Sequence, residues 1–402
     1  MTEAVVIIGG GQAGGQAALS LRQLAFPGTI TVVGEELYAP YERPPLSKSY
    51  LAGEVNEERL FMRPQEFYAE KSITLLLRTH VTGIDRAARA VHLSSGAPLP
   101  YTKLVLATGG RVRRINCPGA NLPGVHYLRN IDDARAFRDR LVPGAKLVIV
   151  GGGYIGLEVA AVAIKRGCSV TVLEMLPRVL NRVVAPEMST FYTTVHRAAG
   201  VDVRTSTGVT AFDGGSKVER VICGDTAIDA DLVVIGIGIT PNVELAADAG
   251  LSVDNGIMVD ECTRTADLDI FAAGDCTNHP NGIIGGRLRL ESVANALGQG
   301  KAAARAIMGI CEPHVEVPWF WSDQYDLKLQ MAGLSRPGDR VVMRGVMAER
   351  KFSACYLRDG VFVACQAVNM VKDFIQSKKL IAAHARPDPE KLANPALALK
   401  DL

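Results

Sequence analysis

No Cys-x-x-Cys pair occurs among the eight cysteines of this chain. A zinc ribbon, a dithiol redox couple and an iron–sulfur ligand run are therefore excluded, and no metal site is expected. Cys117, Cys168, Cys223, Cys262, Cys276, Cys311, Cys355 and Cys365 are scattered and read as reduced thiols acting as small apolar residues. Neither charge sign dominates: 44 Lys and Arg face 42 Asp and Glu, for a net +2. That balance argues against a general nucleic-acid binder. A targeting signal is also missing, because Thr2 and Glu3 lead straight into the apolar run Ala4–Ile8 without a basic region or small-residue cleavage site. A cytoplasmic location is the expectation. The longest apolar stretch, Leu147–Ile164, is about the minimum length of a membrane span. It holds four glycines and Glu158 and reads as core, so no membrane role is expected. Tryptophan is scarce, and its two copies, Trp319 and Trp321, stand together.

What is present is a repeat. With 402 residues, of which 48% are apolar, the chain exceeds the ~250–300 at which a single core stops growing, so two or three domains are expected. The β-branched run Val5–Gly9 enters Gly9-x-Gly11-x-x-Gly14, an alanine-rich helix to about Ala25 and a strand Thr29–Val33 closing at Glu35. Lys146–Val150, Gly151-x-Gly153-x-x-Gly156, a helix to about Arg166 and Ser169–Leu173 closing at Glu174 repeat the unit. Strands ending in glycine turns occur at Leu104–Ala107 (Ala107-Thr108-Gly109), Leu232–Ile235 (to Gly238) and Asp269–Ala273 (Gly274-Asp275-Cys276), and Glu291–Met308 reads as a helix. From about Pro318, Leu327–Met331, Arg340–Arg344 and Val361–Ala367 look like antiparallel strands, and the tail beyond Pro387 looks irregular.

Each glycine has a mechanical reason. The first makes the tight turn, the second admits a pyrophosphate to the backbone, and the third lets helix and strand pack, while the helix N-terminus offers partial positive charge. A carboxylate ending the second strand then accepts ribose hydroxyls. The two copies diverge beyond that carboxylate. After Glu35 comes Arg43-Pro44-Pro45-Leu46-Ser47-Lys48, a stiff cationic loop suited to wall a flavin and to stabilise negative charge on its ring. After Glu174 come Met175, Leu176 and Pro177 before Arg178, so a free 2′-hydroxyl is favoured and NADH is preferred over NADPH.

These motifs resemble the oxygenase-coupled, NADH-dependent ferredoxin reductases, a branch of the glutathione-reductase-like flavoproteins. The resemblance runs nearly the whole length and includes Gly151-Gly152-Gly153-Tyr154-Ile155-Gly156-Leu157-Glu158, Glu291-Ser292-Val293 and Pro318-Trp319-Phe320-Trp321-Ser322-Asp323-Gln324. It implies an α/β fold with two Rossmann-like dinucleotide-binding domains and a small C-terminal α+β domain. The FAD domain would take residues 1–110 and 241–317, the NADH domain 111–240 and the C-terminal domain 318–402. FAD would be held by Gly9, Gly11, Ala13, Gly14, Glu35, Arg43, Lys48, Val81, Ala107, Thr108, Gly109, Arg129, Asp275, Val293 and Trp321. NADH would be held by Gly151, Gly153, Tyr154, Ile155, Gly156, Glu158, Glu174, Gly238 and Glu291. Lys48 would pair with Glu158 beside flavin N5 as the catalytic pair, and Trp319 and Trp321 would flank the flavin.

The implied activity takes hydride from NADH onto FAD and gives single electrons to a small acidic 2Fe–2S ferredoxin serving a monooxygenase or ring-hydroxylating dioxygenase. Arg287, Arg289, Lys328, Lys372, Lys378 and Lys379 are the expected docking cations. Relatives that reduce disulfides are disfavoured, because no cysteine precedes Cys117. Quinone reductases are disfavoured because the segment after Pro387 has no sustained apolar face. A rubredoxin reductase or flavin diaphorase of the same fold is the alternative, and a flavin-bound redox sensor is a further one.

Overall fold

A computed structural model describes residues 3–402. β1 (Ala4–Ile8) leads into α1 (Gln12–Gln23) and β2 (Thr29–Val33). β3 (Lys146–Val150), α2 (Tyr154–Lys165) and β4 (Ser169–Leu173) repeat that order. Both strand pairs are parallel, with Ala4 opposite Thr29 and Lys146 opposite Ser169. The chain divides into two compact units. One comprises residues 1–42, 57–111 and 240–320; the other comprises 43–56, 112–239 and 321–402.

The first unit is built on a parallel sheet in the order Ile270–Ala272, Lys103–Leu106, β1, β2, Ile73–Leu76. Val5, Ile7, Ile30, Val32 and Val105 of the sheet pack with Ala17, Ala18 and Leu21 of α1. α3 (Val293–Ile307) lies against α1, and alanine and glycine allow the close approach. A Cβ on Gly300 would stand 2.6 Å from the Ala13 carbonyl oxygen. Cys262 and Cys311 form a disulfide in this unit, with their Cα atoms 5.6 Å apart. That corrects the expectation of eight free thiols: 49 residues of sequence separate two cysteines that the fold brings together.

The second unit contains the parallel sheet Asp202–Arg204, β4, β3, Leu232–Ile235, Val125–Tyr127. It also contains most of an antiparallel sheet in the order β5 (Trp319–Gln324), Leu327–Gly333, Val361–Val368, Lys351–Arg358, Arg340–Val346. The sheets share one core, in which Ile149, Leu157 and Val172 belong to the same buried cluster as Leu329, Phe352 and Tyr356. Phe191 and Phe352 meet edge to face at 4.7 Å, and Tyr356 donates to Gln366 at 2.6 Å while accepting from the Ala185 amide. α4 (Val371–Ala382) packs on the antiparallel sheet, burying Phe374, Leu380 and Ile381. The tail expected to be irregular carries the helix Pro389–Ala393 and a 3-10 turn at Leu399–Asp401. Buried Arg344, paired with Asp373 at 2.9 Å, fastens it by donating to the carbonyls of Leu392, Asn394 and Leu397.

Candidate functional site

The two glycine turns have the same geometry. Gly9 has φ +117° and a Cβ there would stand 2.1 Å from the Ala107 carbonyl oxygen; Gly151 has φ +110° and its Cβ would meet the Gly236 carbonyl oxygen at 2.4 Å. Neither position tolerates a side chain. Gly14 and Gly156 pack so closely that a Cβ would come within 2.0 and 2.1 Å of the Gly9 and Gly151 carbonyl oxygens. Above Gly11 and Gly153, by contrast, a Cβ would meet nothing within 4 Å. Those two glycines are the N-caps of α1 and α2, neither helix has a side-chain cap, and neither has an acid in its first turn. The first amides of both helices thus lack an acceptor within the helix. Other long helices carry a side-chain cap or a first-turn acid: Asn130 and Asp133 form a capping box, Ser292 caps α3, and Glu187 and Asp373 stand in the first turns of Pro186–Ala198 and Val371–Ala382. Open above the second glycine, with donor-rich and acid-free first helical turns, both motifs fit a dinucleotide pyrophosphate.

In the first unit, Ala13 and Gly274 are neighbours, with the Gly274 Cβ position 3.0 Å from Ala13 Cβ, so Asp275 follows directly from the floor of the first turn. Gln299 accepts from the Gly274 amide at 2.7 Å and from Thr277 at 2.8 Å, while its buried Nε2 has no protein partner. An orphaned donor in the helix that packs beside this turn fits a polar cofactor chain. Thr108 and Asn242 exchange hydrogen bonds of 2.6 and 3.0 Å that hold the turn at Gly109. Val81 is buried at the start of the strand Val81–Asp85, and Val293 opens α3 behind its Ser292 cap. Glu35 projects into solvent and pairs with His80, a residue the sequence did not single out. Glu291 lies in this unit and pairs with Arg289 at 2.6 Å.

In the second unit, Lys48 and Glu158 meet at 2.7 Å, although 110 residues separate them. Glu158 is 1% exposed. Its Oε2 also accepts from Ser47 at 2.5 Å and its Oε1 accepts from Ser322 at 2.6 Å. Pro44–Ser47 forms a 3-10 turn that ends at Lys48. Arg43 donates to the Arg129 carbonyl at 2.6 Å, so two of the expected flavin residues are brought together. Glu174 receives the Gly152 amide on Oε2 and the Leu176 amide on Oε1, both at 2.8 Å. The carboxylate is thereby fixed at the rim of the second turn. Arg178 is engaged elsewhere, donating to Ser189 and to the Asn181 carbonyl. Gly238 has φ +103° and accepts from the Arg113 amide. Tyr154 donates to Met331 Sδ at 3.0 Å, and burial pushes its hydroxyl pKa well up. Ile155 is exposed and Trp321 half-buried.

The docking cations are of two kinds. Lys328, Lys372 and Lys379 are exposed, and half-buried Lys378 lies over the Phe374 ring at 4.5 Å. Arg289 is not a free surface charge: its side chain is 13% exposed and engaged by Glu291 and Asn255. Arg287 is spent on the carbonyls of Val259 and Asn278. Sequence reasoning gave no site role to Ser47, Ser322, Gln324, His196 or Tyr325. Ser47, Ser322 and Gln324 stand inside the family motifs, but nothing in their spacing announces a common partner.

Two parallel sheets, each leading through a glycine turn into a helix with no side-chain cap and no acid in its first turn, define a protein that handles two dinucleotides. The chain belongs to the pyridine nucleotide-disulphide oxidoreductase family, whose model matches residues 3–300, and a reductase C-terminal model matches residues 319–402. It is an oxidoreductase that uses FAD and a nicotinamide dinucleotide. The chain is 44% identical over 401 residues to the 5,5'-dehydrodivanillate O-demethylase ferredoxin reductase subunit of Sphingobium sp. (strain NBRC 103272 / SYK-6), covering 99% of this chain and 97% of that one. Putidaredoxin reductase CamA of Pseudomonas putida is 44% identical over 405 residues, with 99% and 96% covered. Among solved structures, the covalent putidaredoxin reductase–putidaredoxin complex matches with a TM-score of 0.96 at 44% identity, covering 99% of this chain and 97% of that chain. The resemblance to oxygenase-coupled ferredoxin reductases and the fold class expected from it are both borne out. Among the described residues no helix is long and apolar enough to cross a membrane.

Proposed function

We propose that this chain is the NADH:ferredoxin oxidoreductase of an oxygenase system, working in the cytoplasm where NADH is available. The full-length likeness to ferredoxin reductases, including one solved in complex with putidaredoxin, is the observation that carries the acceptor. When bound, FAD accepts two electrons from NADH as a hydride and can release them singly to a one-electron carrier. We assign residues 1–110 and 241–317 to FAD, 111–240 to NADH and 318–402 to the C-terminal domain.

In this reading the amides after Gly11, with Ala13 and Gly14, hold the FAD pyrophosphate, and Asp275 holds its ribityl chain. Glu35, Val81, Thr108, Arg129 and Val293 complete that site. The amides after Gly153 hold the NADH pyrophosphate, and Glu174 receives the ribose hydroxyls. Its two amide donors keep the carboxylate aimed without consuming all of its lone pairs. Lys48, paired with Glu158, is assigned to flavin N5, where a cation stabilises negative charge on the ring. Tyr154, Ile155, Gly238 and Glu291 orient the nicotinamide end. Positioning then supplies most of the rate enhancement. The test is steady-state NADH oxidation by the FAD-loaded protein with a purified 2Fe–2S ferredoxin, a rubredoxin or neither. Turnover with ferredoxin should exceed the other two; equal turnover with rubredoxin, or none with any ferredoxin, would remove the assignment.

A further inference from the structure

A line of buried polar side chains leads away from the Lys48–Glu158 pair. Ser322 donates to Glu158 Oε1 at 2.6 Å, Gln324 Nε2 lies 3.1 Å from Ser322 Oγ, and Gln324 Oε1 lies 2.8 Å from His196 Nε2. Tyr325 OH lies 3.0 Å from His196 Nδ1. Ser322 and His196 are 0% exposed and Gln324 is 1% exposed. Hydrogen-bonding capacity, with a neutral imidazole, assigns every proton in the line. A carboxylate paired with lysine only accepts, so the Ser322 hydroxyl must donate to it and take the Gln324 N–H on a lone pair. The Gln324 oxygen then requires the proton of His196 on Nε2, and Nδ1 is left to accept from Tyr325. Every donor points toward Glu158, and the neutral Nε2–H imidazole completes the line. Burial also lowers the His196 pKa, in the same sense.

Glu158 is thus gripped from two sides, with Ser47 and Lys48 on Oε2 and the Ser322 branch on Oε1. Fully satisfied buried networks rigidify what they touch. We propose that Ser322, Gln324 and His196 are positioning residues for flavin reduction, clamping Glu158 and through it the Lys48 ammonium in one orientation. This inference rests on the assignment of the Lys48–Glu158 pair to the flavin. Apolar side chains would fill the same space with equal or better stability, so a donor line ending on a lysine-paired carboxylate has a use beyond packing. Ser322 adjoins Trp321 in sequence, which explains why a motif dominated by aromatics also carries Ser and Gln.

The experiment uses the full-length, FAD-loaded protein and reads the flavin visible spectrum, its midpoint potential and the stopped-flow reduction rate across NADH concentrations. Gln324→Glu is nearly isosteric but turns the donor to Ser322 into an acceptor, and Ser322→Ala removes the hydroxyl. Both should slow flavin reduction at saturating NADH by about tenfold, shift the spectrum and potential, and leave half-saturation within about twofold. Ser322→Thr and His196→Gln keep the donors and should restore wild-type values. Equal losses in Ser322→Thr and Ser322→Ala would mean packing rather than hydrogen bonding, and would overturn the proposal. Lys48→Met and Glu158→Gln separate the two claims. If neither alters these readouts, the assignment of the pair to the flavin falls. If both do while Gln324→Glu and Ser322→Ala behave as wild type, the positioning role falls. A measurement free of variants is the 15N spectrum of His196 in the wild-type holoprotein, which should show a proton on Nε2 alone at about pH 8, above the ordinary imidazole range. A proton on Nδ1 at that pH would overturn the proposal.

Discussion

Glu174 spends each carboxylate oxygen on one backbone amide, Gly152 and Leu176, and keeps the lone pairs that the proposed function assigns to the dinucleotide ribose. A 2′-phosphate would face an anchored negative charge that cannot swing aside. Glu174→Ala should therefore reduce the NADH-over-NADPH ratio of kcat/KM by more than about tenfold, roughly 1.4 kcal/mol. An unchanged ratio would refute the role. His279 supplies a different test. It is 2% exposed, neither ring nitrogen has a protein partner, and burial with repulsion from His314 and Arg287 lowers its pKa to about 4. Above about pH 6.5 the folded and unfolded chains both hold this imidazole neutral. Between there and about pH 4 the unfolded chain binds a proton that the folded chain refuses, so stability falls as pH falls. The loss should approach roughly 3 kcal/mol by about pH 4 and stop growing below it. Denaturant titrations at several pH values should show an acid limb in the wild type that His279→Gln shrinks by about that amount.

At the scale of elements, α1 and α2 have neither a side-chain cap nor an acid in the first turn, whereas α3 is capped by Ser292. Gly153 has an extended backbone and open space where a Cβ would stand, so the helix could accept a capping acid there. Gly153→Asp should preserve or slightly raise thermal stability, since Gly-to-Asp caps differ by only about a few tenths of a kcal/mol. It should nevertheless raise the NADH half-saturation concentration by more than about tenfold, because the carboxylate occupies the donors and repels the pyrophosphate. Unchanged NADH binding would show that the second turn is not a phosphate site. The strand Lys351–Arg358 shows why some elements escaped the sequence. Six of its eight residues are buried in succession, so it carries no polar–apolar alternation to mark it as a strand. The C-terminal tail escaped for another reason, as its order comes from Arg344, which lies 50 and 53 positions before the Asn394 and Leu397 carbonyls it holds.

At the scale of the whole molecule, the net charge of +2 gives no overall attraction to an acidic partner, so steering must come from local cations. With Arg287 and Arg289 engaged by their own surroundings, Lys328, Lys372 and Lys379 are the remaining exposed candidates. Ferredoxin-dependent turnover should fall steeply as salt rises from about 0.05 to about 0.5 M, since screening shortens the reach of surface charge to a few ångströms. NADH-driven flavin reduction without ferredoxin should change little. A salt-insensitive ferredoxin rate would remove electrostatic docking. Replacing the three lysines together should flatten the curve.

Both dinucleotide turns, their helices and the parallel strands beside them were readable from sequence alone. Glycine spacing and β-branched runs act over a few residues, and backbone sterics leave few alternatives. The family and its cofactors followed from the same local motifs. Tertiary structure decided what joined them. Sequence spacing does not state that Lys48, Glu158 and Ser322 meet, that Cys262 finds Cys311, or that Arg178 turns to Ser189 instead of Glu174. Most of those contacts depend on packing between segments tens to hundreds of residues apart, where a side chain's partners are set by the core it is pressed against.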